Sequence, residues 1–191
     1  MKAAVLILTS FLFINCSDDT ETLNKPDDAG VAAYTVADFK ASLSDAEAEP
    51  EEACFSRDLI AGQNEVVGQV TIEINDDGSW ILTYQTIEDW SLSETHLSLS
   101  EDCNVSSFPI TKSGNPQVGK FEYAANHDDS VNKVEYTIYQ DQFSWNFCFA
   151  AHAVVDGPKG SETAWAKGES FGGKNWAMYV QANLLGCLQP T

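Results

Sequence analysis

The residues best suited to proton transfer or metal ligation are three histidines, His96, His127 and His152. Glu94 and His96 are one residue apart, so on a strand both side chains point to one face. His152 lies in an apolar run from Phe147 to Val155, and Glu162 opens a later strand-like segment. If folding makes these segments neighbours, Glu94, His96, His152 and Glu162 could converge on a metal such as zinc. His127, beside Asp128 and Asp129, could join from a loop. No H-E-x-x-H or H-x-x-x-H spacing backs a metal. The plainer expectation is a core histidine, His152, hydrogen-bonded to Glu94 or to a backbone carbonyl. Asp76-Asp77-Gly78 and His127-Asp128-Asp129 offer oxygen ligands for calcium, but neither has the spaced acidic pattern of a calcium loop. Both read more simply as turns. Of the five tryptophans, Trp145, between Ser144 and Asn146, is the best candidate for an exposed platform that stacks on a sugar ring. No Gly-x-Ser-x-Gly, paired catalytic carboxylate motif or phosphate loop is present, which leans away from an enzyme.

The elements that must position these residues read as strands. Val70, Ile72 and Ile74 alternate with polar residues, Asn75 to Gly78 is a turn signal, and Trp80, Leu82 and Tyr84 alternate after it. The segment Trp90 to Ser100 changes apolar parity between Leu92 and Leu97, which a bulge near Glu94-Thr95-His96 would explain. Phe108 to Gly119 is a loop. Val134, Tyr136 and Ile138 alternate again, and Phe147 to Val155 reads as a central strand buried on both faces. Short strands at Thr163 to Ala166 and Trp176 to Ala182 close the pattern. The expectation for residues 53–191 is an all-β, antiparallel β-sandwich, jelly-roll or Ig-like.

The chain carries 10 basic and 29 acidic residues, a net charge of −19. Nucleic acid is a poor partner for it, since phosphates demand Lys and Arg. Residues 1–15 pair Lys2 with an apolar run, Ala3 to Ile14, too short to span a bilayer. Cys16 stands where that run ends. This resembles a bacterial lipoprotein signal, with Cys16 the acylated first residue, although Phe13 and Asn15 depart from the usual Leu and small residue. Ser17-Asp18-Asp19 resembles the acidic export tag of Bacteroidetes surface lipoproteins. The resemblance implies an outer-membrane lipoprotein facing the cell exterior.

Residues 16–52 then read as an acidic, disordered tether. Within it, Thr35 as N-cap and Val36, Phe39 and Leu43 on one face predict a short amphipathic helix ended by Pro50. Four further cysteines allow three disulfide pairings. Cys54–Cys187, closing the domain where it begins and ends, with Cys103–Cys148 inside it, is favoured.

Ala61-Gly62-Gln63-Asn64, Trp90 to Leu97, Gly114-Asn115-Pro116, Ala150-Ala151-His152-Ala153, Glu162 to Ala166 and Gly172 to Trp176 occur in that order. Together they resemble a recurring, largely uncharacterised module of bacterial secreted and surface proteins, over roughly Cys54 to Tyr179. The resemblance implies an extracellular setting and brings no activity with it. The leading expectation is a lipid-anchored, non-catalytic surface module that adheres to or binds a glycan or surface protein. The alternatives are a metal-binding protein or metal-dependent enzyme, and a structural envelope component.

Overall fold

The computed structural model describes residues 33–40, 53–139 and 144–188. The expected signal segment (residues 1–15), Cys16 and nearly all of the expected tether (residues 16–52) lie outside these residues. The fold is all-β and antiparallel, as the alternating patterns require. Its strands are β1 (Ala33–Lys40), β2 (Phe55–Ala61), β3 (Glu65–Ile74), β4 (Trp80–Thr86), β5 (Ser91–Ser100), β6 (Tyr123–Asn126), β7 (Val131–Tyr139), β8 (Asn146–Gly157), β9 (Gly160–Ala166), β10 (Glu169–Ser170) and β11 (Met178–Asn183). They form one sheet in the order β1-β7-β4-β3-β2-β9-β8-β11-β10, with β5 on the other edge of β8 and β6 beyond it.

β8 is the hub. Along one side it pairs with β5 from Ser91 to Ser100; along the other it pairs first with β11 and then with β9. Phe147, Phe149, Ala151, Ala153 and Val155 alternate into the main core, with Leu97, Tyr136 and Ile138. Cys148 and Ala150 point the other way, into a second cluster with Phe108, Phe121, Trp165 and Tyr179. The continuous apolar run is therefore a strand covered on both faces, as expected. Burying a side chain such as Phe149 or Leu97 contributes about 1.5–3 kcal/mol each.

The sheet curls until its end strands meet. Tyr34 of β1 and Tyr123 of β6 pack edge to face with ring centres 4.9 Å apart. The Ala124 backbone donates a hydrogen bond to the Tyr34 hydroxyl. No ladder joins β1 to β6 among the described residues; side chains make the seam.

β1 corrects the helix expected over Val36 to Leu43. Residues 33–40 pair with β7, Val36 opposite Tyr136 and Asp38 opposite Val134. Val36 is buried, whereas Phe39, which the helix reading placed on the same apolar face, is 42% exposed. The true period is two. Tyr34, Thr35, Val36 and Phe39 all favour extended backbone, and β7 offers an open ladder edge to receive it. Leu43 and Pro50 lie outside the described residues. The expected domain start at residue 53 thus leaves out a strand of the sheet.

The other local expectations are met with small shifts. The β3–β4 hairpin turns at Asn75 to Ser79, where the Asp77 carboxylate accepts from the Ser79 backbone and hydroxyl. The bulge in β5 falls between Leu92 and Glu94, at Ser93. Both favoured disulfides are present. Cys54–Cys187 joins the approach to β2 to the turn after β11, with Cα atoms 5.3 Å apart. Cys103–Cys148 pins the segment after β5 to the outer face of β8, with Cα atoms 5.2 Å apart.

Gly68 sits beside the register shift of β2 on β3. A Cβ there would stand 2.0 Å from the Gln85 carbonyl oxygen, a backbone atom that cannot swing aside. Gly68→Ala is therefore expected to cost about 1–3 kcal/mol by overpacking, read as a lower urea midpoint. An unchanged midpoint would mean that β3 and β4 are not in this close contact.

Candidate functional site

Two polar constellations flank β5, one on each face, because Thr95 and His96 are neighbours on a strand and point oppositely. The inward one is a hydrogen-bonded chain. His127 Nδ1 lies 2.8 Å from Asp38 Oδ1, and His127 Nε2 lies 2.7 Å from Thr95 Oγ1. Thr95 Oγ1 is in turn 2.7 Å from the Tyr136 hydroxyl. The Asp38 carboxylate only accepts, so Nδ1 carries the ring proton. Nε2 then accepts from the Thr95 hydroxyl, whose oxygen is left to accept from Tyr136. Burial, the main cause, holds the Tyr136 hydroxyl well above its ordinary pKa, so it stays a donor.

Carboxylate, imidazole and hydroxyl in this order are the parts of a nucleophile relay. Here the hydroxyl is sealed. Thr95 and Tyr136 are both 0% exposed, and the His127 ring is also fully buried. A substrate has no approach to Thr95 in this state. What the chain does is structural: it ties β1, the residue after β6, β5 and β7 together across the seam. The sequence did not single out Asp38 or Thr95, because their contact with His127 spans 89 and 32 residues. His127 was expected beside a possible metal or calcium ligand set, and it is instead committed to this clasp.

The outward constellation holds the candidate site. His96 of β5 is directly opposite His152 of β8, with ring centres 5.5 Å apart. His152 lies between His96 and Trp165, whose ring centre is 4.8 Å away on β9. Glu94 shares this face and sits opposite Val154. Ala124 of β6 is the register partner of His96. Four side-chain atoms are buried without a partner among the described residues: His96 Nδ1, His152 Nδ1, Ser98 Oγ and Glu122 Oε2. The first three belong to this face. The expectation of a satisfied core histidine fails at this point, since neither buried Nδ1 finds Glu94 or a carbonyl.

Glu162 does not join. It is opposite Val155, and strand alternation sends it to the face of Val155 and Ala153, away from His152. Its carboxylate lies beside Gly62 instead. Among the described residues, no group of three or more His, Cys, Asp or Glu is positioned to hold a metal ion. Trp145 is half-buried and packs against the main core, not exposed as expected. Its carbonyl accepts from the Leu184 backbone, which fixes it to the chain end. Asp77 makes turn contacts with Ser79, as the simpler reading held.

Burial depresses the pKa of both outward histidines. His152 falls to about 4, from burial first and the neighbouring His96 second. His96 is lowered by burial and by His127, with Glu94 opposing. Comparison with known proteins finds no matching family model, no matching curated protein and no matching solved structure. The site therefore has to be read from its own chemistry.

Two outcomes follow from these environments. His127→Ala strands the Thr95 hydroxyl and loosens β1, with an expected loss of about 1–3 kcal/mol in chemical denaturation; a neutral result would mean that the chain of contacts closes nothing. The His152 shift sets a pH dependence. Its folded pKa lies below the ordinary 6.5, so the unfolded chain takes up the proton first. Stability is full above about pH 6.5 and falls as pH drops toward 4. Between pH 7.5 and 4.5, in chelator, this group should remove about 2–3 kcal/mol. That part of the acid loss should vanish in His152→Gln, and equal losses in both proteins would place the sensitivity elsewhere.

Proposed function

We propose that this chain is an exported, lipid-anchored module of the outer membrane that binds a glycan or a surface protein without chemical turnover. The observation that carries the reading is the pair of disulfides. One joins the approach to β2 to the turn after β11 and the other pins the segment after β5 to the central strand. Such cross-links persist in oxidising compartments and stabilise small exported domains by about 2–4 kcal/mol each. The lipoprotein-like segment before Cys16, with the acidic residues that follow it, supports anchorage through acyl chains. A net charge of −19 supports an exposed, soluble surface and disfavours adhesion to anionic lipid headgroups. Binding is favoured over catalysis because the Asp38–His127–Thr95 chain is closed to solvent at its hydroxyl.

Expression in a bacterium with palmitate labelling tests the anchor. The natural chain should incorporate label and be released by protease added to intact cells. Cys16→Ser should lose the label and appear in soluble fractions. Labelled protein that resists protease on intact cells would refute the exterior location, and an unlabelled natural chain would refute the anchor. Glycan and surface-protein arrays, probed with the soluble Cys16→Ser chain, then read the partner class.

A further inference from the structure

We propose that His96 and His152 form a two-histidine clip for a late transition-metal cation, with zinc as its simplest occupant. The proposal does not depend on the adhesive reading above.

Buried nitrogen and oxygen atoms almost always find partners. Here two imidazole nitrogens, both Nδ1, are buried and unpartnered on directly opposed residues of paired strands. His152 is only 6% exposed, and Ser98, next but one to His96 on the same face, is 1% exposed. Both thus carry polar atoms well away from water. The pattern is local and shared between two facing residues, which points to one common ligand.

The ring separation fits a shared metal ion. Two imidazoles that each give one nitrogen to a tetrahedral zinc, at Zn–N of about 2.0–2.1 Å, hold their ring centres about 5–5.5 Å apart. The observed separation is 5.5 Å. Direct imidazole-to-imidazole hydrogen bonding would have satisfied one Nδ1 with the other, and it is absent from this pair. Imidazole nitrogen is a favoured ligand of zinc and copper, not of calcium or magnesium.

The remaining coordination positions are open to water or to one nearby oxygen. Since no third His, Cys, Asp or Glu is in place, the clip has two protein ligands and not three. Ser98 Oγ, buried and unpartnered on the same face, can hydrogen-bond bound water. Access is from the β6 side. Trp165 closes the far side of the row, whereas Ala124, next to His96, is exposed and His96 itself is half-buried. The acidic chain raises the local concentration of cations around that opening.

The test uses the full, disulfide-bonded chain with Cys16→Ser, which removes the one cysteine outside the two disulfides. After chelation, zinc is titrated by calorimetry at pH 7.5, and cobalt is followed by its visible absorption. The expected result is one ion per chain, a melting temperature that rises with the logarithm of free zinc, and cobalt bands of a tetrahedral site. His96→Gln and His152→Gln should each weaken binding by more than about tenfold. Absence of binding overturns the proposal. So does binding unchanged in both variants, which would assign the ion to surface carboxylates. If a variant fails to fold, copper titration of the natural imidazole resonances decides: selective broadening of His96 and His152 upholds the clip, and uniform or His127-centred broadening refutes it.

Discussion

The structure depends on β8 being hydrogen-bonded on both edges and covered on both faces. A strand in that position has no exposed backbone group to satisfy and no face to leave polar without consequence. Its inward residues carry the main core, and its outward residues carry a second, smaller one. Cys148 fixes the outer cover to it covalently. His152 is the exception in this strand: a titratable side chain with a buried, unpartnered nitrogen where its neighbours are aromatic or small and apolar. A polar group held there costs free energy unless something satisfies it, which makes this position the natural place to look for function.

The seam obeys a different rule. A sheet that closes fully removes its edges, while an open one must guard them. This sheet ends on β1 and β6, and neither adds a ladder bond to the other among the described residues. Ring packing of Tyr34 on Tyr123 and the Asp38–His127–Thr95–Tyr136 chain take the place of backbone pairing. The hydrogen bonds are directional and buried, so they specify where β1 sits as well as holding it.

The two faces of β5 separate these roles through a single bulge. The register shift at Ser93 turns Leu92, Thr95 and Leu97 inward and leaves Glu94, His96 and Ser98 on the outer side. The clasp and the candidate site therefore come from adjacent residues, Thr95 and His96, that share a backbone but no environment. Without the bulge, the polar and apolar residues of this strand would exchange faces.

Local pattern was enough for β3, β4, β5, β7, β8, β9 and β11, for the hairpin at Asn75 to Gly78 and for β8 covered on both sides, because alternation and turn chemistry act over a few residues; β2, β6 and β10 were not named. The even cysteine count with an end-to-end pairing also anticipated both disulfides. The same local reasoning failed at Val36 to Leu43. An apolar spacing compatible with a helix was overruled by the open edge of β7, which lies about a hundred residues further along the chain. The meeting of His96 with His152 that the sequence raised is realised, but the exclusion of Glu162 and the capture of His127 by Asp38 and Thr95 were not legible. Alternation along the chain was sufficient for the all-β class and most strand phases. Only the tertiary structure decided which strand lies beside which, and so which polar atoms meet a partner and which are buried without one.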